Sequence, residues 1–139
     1  MATFKNQIVV TKPLAEVYDF LADLNNHEKL MPPEVKDWQS SRDQASFSIP
    51  SVPGLSLKVE DRAENQHIRI IPAQKAPFDI SLTWHTEAID EEVAGDQEET
   101  RVWLVIEAEL NMMMKMLASA VLQKLVNEQV NNLKTALAG

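Results

Sequence analysis

Residues 112 to 138 run for 27 positions without a glycine or a proline, and Asn111 stands just before them. Asparagine is among the preferred helix caps, so the stretch from Asn111 to Leu137 reads as the one long helix of the chain. Between Val35 and Leu110 the pattern is different. Apolar and polar side chains alternate there with a period of two, interrupted by "SSRDQ", "PSVPG", "EN" and "PAQKAP". That is the signature of strands joined by turns. With 139 residues, 45% of them hydrophobic, the chain can build one sizeable core and one domain, 1–139. The helix and the strands must then bury their apolar sides against each other.

The first segment, "TFKNQIVVT", alternates with Phe4, Ile8 and Val10 on one side, as a half-buried strand does. In "TKPLAEVYDFLADLNN" the spacing changes to threes and fours at Leu14, Val17, Tyr18, Leu21 and Leu24, which is a helix stripe. Pro13 suits the first helical position, with Thr11 or Lys12 as the cap. A second short helix is expected over Asn26 to Leu30, capped by Asn25 or Asn26 and ended by Pro32 and Pro33. Six more strands follow near Val35–Ser40, Ala45–Ile49, Leu55–Ala63, His67–Ile71, Asp79–Ala88 and Thr100–Leu110. Their connections are short enough for antiparallel neighbours in a meander. Period two puts Phe47, Ile49, Leu55, Leu57, Val59, Ile68, Ile70, Ile80, Leu82, Trp84, Val102, Leu104 and Ile106 on one face and Lys58, Glu60, Arg69, His85 and Glu107 on the other. The sheet has a dry face and a wet one, and the long helix is the element able to cover the dry one.

Four of the six methionines fall in "LNMMMKML", Leu110 to Leu117. At about 100° per residue, Met114, Leu117, Ala118, Val121 and Leu125 form a sheet-facing stripe, while Leu122, Val126, Val130, Leu133 and Leu137 form a second stripe turned by roughly 100°. The apolar face therefore rotates along the helix, as if it crossed a curved sheet. Met112, Met113 and Met116 lie on the side that later becomes polar at Gln123, Asn127 and Lys134. They are gap-fillers under a loop, the mouth of a cavity, or a contact with a homodimer mate or protein partner.

Charge and composition exclude several functions. The net charge of -8 repels nucleic acid and anionic membrane. Six carboxylates lie between Asp90 and Glu99, and without them the chain would stand near -2. That run reads as a solvated hairpin loop, since a calcium loop starting at Asp90 would need a glutamate where Arg101 stands. Without any cysteine, disulfides and thiolate chemistry are out. No stretch is apolar enough for membrane insertion, and "MATFKNQIVV" does not look like a signal peptide, so a cytoplasmic location is expected. His27, His67 and His85 show no metal-ligand spacing, Asp61 and Arg62 look like an ordinary polar strand end, and there is no hydrolase elbow or phosphate loop. The sequence calls for no metal, no cofactor and no catalytic group.

The order strand, two short helices, six-strand meander, long C-terminal helix resembles the SRPBCC or START-like superfamily, also called helix-grip or birch-pollen-allergen-like. The local resemblance is strongest in "IVVTKPLAEVYDFLADLNNHEKLMPPEV". It implies an α+β fold in which a curved seven-stranded antiparallel sheet wraps the long helix, with two short helices between the first two strands. It also implies an apolar cavity between sheet and helix, used in that family for lipids, sterols, polyketides, quinones or plant hormones. The residues that would line it are Phe47, Leu57, Ile70, Leu82, Trp84, Leu104, Met113, Met114, Leu117 and Val121. "SSRDQ" departs from the plant-allergen branch, which has a glycine-rich loop at that place. The resemblance implies binding of a hydrophobic or amphipathic small molecule. Cyclase or aromatase chemistry and a chaperone-associated interaction domain are the alternatives it offers.

Overall fold

The computed structural model describes residues 2–49, 52–74, 79–89 and 99–138. Strand β1 (Ala2–Val10) leads into helix α1 (Leu14–Ala22) and a 3-10 helix (Leu24–Leu30). Six strands follow: β2 (Lys36–Ser40), β3 (Gln44–Ile49), β4 (Val52–Ala63), β5 (His67–Pro72), β6 (Ile80–Ile89) and β7 (Glu99–Ala108), and helix α2 (Met112–Ala138) ends the chain. The seven-stranded sheet has the order β1-β7-β6-β5-β4-β3-β2, antiparallel throughout. Thus β2 to β7 form the expected meander, and β1 closes onto β7 from Ala2 opposite Ala108 to Val10 opposite Thr100. Because β1 and β2 occupy opposite edges, the chain between them must cross the sheet. That crossing lays α1 and the 3-10 helix over the dry face, where α1 meets β5, β6 and β7 and the 3-10 helix meets β2 and β3.

The sheet curves where its register slips. Irregularities fall between Lys36 and Gln39, between Phe47 and Ile49, and between Val59 and Asp61, and such bulges bend a strand and turn later side chains to the other face. Asp37 takes a positive φ of 57° within the first of them. At the third, Val59 lies opposite Ile70 while Arg62 lies opposite the buried Ile68. Arg62 therefore departs from the expected ordinary polar end. It turns to the dry side, donates to the Ala22 carbonyl from Nε (3.1 Å) and a terminal nitrogen (2.7 Å), and pairs with Asp43 at 2.8 Å. This ties the end of α1 to β4 and to the β2–β3 turn. The β2 edge is short, kinked and lined by exposed Lys36, Asp37, Gln39 and Ser40, which discourages pairing with another chain.

Two caps differ from expectation. Pro13 itself takes the N-cap position of α1 with extended backbone and no side-chain bond, so neither Thr11 nor Lys12 serves. The second short helix starts earlier, at Leu24, and is a 3-10 helix capped by Asp23, which accepts from the Asn25 amide at 3.0 Å. Asn111 does cap α2, accepting from the Met114 amide at 2.8 Å. Asn111→Ala is expected to cost about 1 kcal/mol and to speed amide exchange in the first turn of α2 more than at Leu125 and beyond, as hydrogen exchange would read. The acidic run from Asp90 to Glu98 lies outside the described residues.

Candidate functional site

The second stripe of α2 is the buried one. Leu122, Val126, Val130, Leu133 and Leu137 are all in the core, where α2 packs on β1, β7 and the 3-10 helix. Polar side chains fasten the same half. Asn127 accepts from Asn6 at 2.9 Å and from Gln123 at 3.0 Å, Asn132 donates to the Leu30 carbonyl at 2.9 Å, and Lys124 pairs with Glu34 at 2.6 Å. The first stripe divides. Ala118 and Leu125 are buried and Met114 and Val121 are half-buried against the core, but Leu117, expected to face the sheet, is 55% exposed. Among the described residues every side-chain tether of α2 except the cap falls at or after Gln123, and the first turns carry the exposed apolar face. Met112, Met113 and Met116 stand 82%, 71% and 82% exposed, a contiguous apolar surface at the start of α2.

The ten candidate lining residues fall into two groups. Phe47, Leu57, Ile70, Leu82, Trp84 and Leu104 are buried together on the dry face, while Met113, Met114, Leu117 and Val121 run from solvent to the core edge along α2. Trp38, half-buried on β2, stacks on Phe47 at 5.3 Å and extends the apolar layer toward the edge. Two surface depressions open elsewhere, the first of them reaching Leu57 at the margin of this interior. One of about 350 Å³ follows the β2–β4 edge and is lined mainly by Gln39, Ser40, Gln44, Ser46 and Ser56; the other, of about 480 Å³, sits on the wet face between Lys5, Gln7, Glu87, Arg101 and Trp103.

The histidines have three different settings. His27 is buried, and its Nε2 lies 2.8 Å from the Leu21 carbonyl, so that nitrogen carries the proton. Its ring meets Trp84 edge-on at 6.0 Å. Burial pushes its pKa down to about 4, against the smaller opposing effects of the Leu21 carbonyl and Asp23. His67 and His85 lie opposite each other on the wet face, as the alternation predicts. His67 Nε2 is 2.7 Å from Asp61 Oδ2, and His85 stacks on Trp103 at 4.9 Å with planes 9° apart. That stack half-buries His85 and, with the nearby His67, lowers its pKa. Tyr18 is buried with its hydroxyl 3.4 Å from the His67 carbonyl, and burial raises its pKa. Among the described residues no three His, Asp or Glu side chains converge as a metal site would need.

Sequence reasoning missed the interior polar groups. Gln129 is 1% exposed, and neither its amide nitrogen nor its oxygen has a partner among the described residues. The buried Trp84 Nε1 and Thr86 Oγ1 are likewise unpartnered. A glutamine inside the second stripe, between Val126 and Val130, was the signal available, since a buried amide normally finds a bond.

No protein-family model and no curated protein matches the chain by sequence. Solved structures match it by shape. The START superfamily protein of Mycobacterium smegmatis superposes with a TM-score of 0.63 at 16% identity, covering 98% of this chain and 97% of its own. The Aha1 dimer of Colwellia psychrerythraea gives 0.69 at 16% identity, with 99% and 96% covered. The di-domain ARO/CYC BexL of the BE-7585A biosynthetic pathway gives 0.68 at 15% identity, covering 97% of this chain and 46% of that one. At such low identities the likeness establishes the fold alone.

Proposed function

From the premise that the chain has the START-like, helix-grip fold, we propose that it binds a hydrophobic or amphipathic small molecule, lipid-, quinone- or polyketide-like, between the dry face and α2. The observation that carries this reading is the exposed apolar start of α2. Met113 and Leu117 are exposed while Met114 and Val121, on the same turns, reach the core. An uncovered apolar surface of this kind is costly for a chain without a use for it, and flexible methionines adapt to varied apolar partners. Native mass spectrometry of protein purified from its own cells should show a bound apolar species. Nile red should bind with a blue-shifted emission, and Met113→Ser/Leu117→Ser should weaken that binding severalfold at unchanged thermal stability. Nile red affinity that ignores the double variant, with no bound species in the mass spectrum, would sink the reading.

A second reading takes the same surface as a protein contact, a second copy of the chain included, as in the Aha1 dimer of similar fold. Met112, Met113 and Met116 would then lie in the interface. Light scattering after size exclusion should report a dimer for the wild type and a monomer for Met112→Ser/Met113→Ser/Met116→Ser. A monomeric wild type counts against a dimer.

A cyclase-like enzyme would need an acid-base group turned inward. His27 is the buried titratable histidine, and one nitrogen is committed to the Leu21 carbonyl. An inward ring with no acid-base partner in reach among the described residues favours binding over catalysis.

A further inference from the structure

Among the described residues four side chains hold buried polar atoms without a partner, Trp38 on the β2 edge and Trp84, Thr86 and Gln129 deeper in the interior, and the strand register and helix tethers bear on where the last three stand. Trp84 and Thr86 are two residues apart on β6 and both buried, so they share the dry face. Gln129 lies on the turn of α2 between two tethers, and both lead to Trp84. Asn127 is bonded to Asn6, Asn6 lies opposite Leu104, and Leu104 lies opposite Trp84. Asn132 is bonded to Leu30 of the 3-10 helix, whose His27 packs edge-on against Trp84. Leaving a buried donor or acceptor unpaired forfeits the bond it had to water, so each of these groups calls for a partner. Among α2's other interior-facing polar side chains, Asn127 and Asn132 are bonded.

We propose that Gln129, Trp84 and Thr86 form the polar end of the ligand site, recognising the carbonyl or hydroxyl groups of an uncharged, oxygenated ring compound such as a quinone or phenol. This deepens the binding function proposed above and rests on it. The amide nitrogen of Gln129 and the indole N–H of Trp84 donate, the Gln129 oxygen accepts, and the Thr86 hydroxyl does either. His27 contributes an acceptor, because its proton sits on the nitrogen facing Leu21. None of these groups is charged at neutral pH. The buried residues also include no Asp, Glu, Lys or Arg among those described. The dry-side cation Arg62 is already committed to the Ala22 carbonyl and Asp43, so an inward carboxylate would meet no free counter-charge, and burying an unpaired charge is far costlier than burying a carbonyl. The site selects against a fatty acid inserted head first.

Four probes with one ring system separate these possibilities: naphthalene, 1-naphthol, 1,4-naphthoquinone and 1-naphthoate, titrated calorimetrically at pH 7.5. The chain has no cysteine thiol to add to the quinone. The wild type should bind naphthol and the quinone at least tenfold tighter than naphthalene, and naphthoate weakest. Gln129→Met should abolish that tenfold preference while naphthalene binding holds. Thr86→Val should reduce the preference in the same direction and carries the test if the Gln129 variant does not fold. Equal affinity for the three neutral probes would overturn the proposal and leave the binding function standing, with buried water as the partner of these groups. Tightest binding by naphthoate would overturn it too. Failure of all four to bind would remove the binding function along with it.

Discussion

Trp84→Ala is expected to lower the unfolding free energy by about 3–5 kcal/mol, since Trp84 is the largest fully buried side chain among the described residues. Trp84 is fully buried at the centre of the sheet, opposite Ile68 on one side and Leu104 on the other, with His27 against its edge. Its neighbours come from β5, β7 and the 3-10 helix, and the sheet on either side is held by continuous ladders. Such a site cannot collapse to fill the void, so the cavity cost adds to the lost burial. Trp84→Phe separates shape from polarity. It keeps most of the ring and removes an indole N–H that has no partner in the protein, so its cost should stay below about 2 kcal/mol. Urea unfolding followed by circular dichroism measures both. A Phe variant as damaging as the Ala variant would show that the indole N–H is bonded in the folded protein.

The second large effect is a dependence on pH. His27 is neutral when folded, its pKa held near 4 by burial, against an ordinary value of 6.5. The unfolded chain therefore takes up a proton between these values and the folded chain does not. Stability from this residue is complete above pH 6.5 and falls as the pH drops toward 4, where the folded protein also protonates. The total is about 3 kcal/mol, since each unit of pKa difference corresponds to about 1.4 kcal/mol. His27→Leu should remove that portion of the acid sensitivity. In thermal melts between pH 7.5 and 4.5, the difference in melting temperature between wild type and variant should move steadily in the variant's favour. A constant difference across the series would mean that His27 is accessible to water and titrates normally.

Local pattern carried much of the architecture. The strand positions from β2 to β7 and the span of α2 agree with the periodicity to within about three residues, because a half-buried strand and an uninterrupted helix each leave a local record. The dry-face assignments at Phe47, Leu57, Ile70, Leu82, Trp84 and Leu104 follow from the same alternation. Arg62 was misread because a bulge changes parity within a strand, and nothing in "VEDRA" announces it. Leu117 was misread because helical spacing gives a face and no length of contact; where the helix leaves its support depends on where the sheet ends.

The sequence by itself determined which segments are strands and helices, which face of the sheet is apolar, and that the start of α2 is apolar nearly all round. Those properties arise between neighbours a few residues apart. Only the tertiary structure decided that Met112, Met113, Met116 and Leu117 are exposed to solvent and that Gln129 is buried without a partner among the described residues. Those depend on the tethers from Asn6 to Asn127 and from Asn132 to Leu30, contacts across more than a hundred residues that no local periodicity encodes.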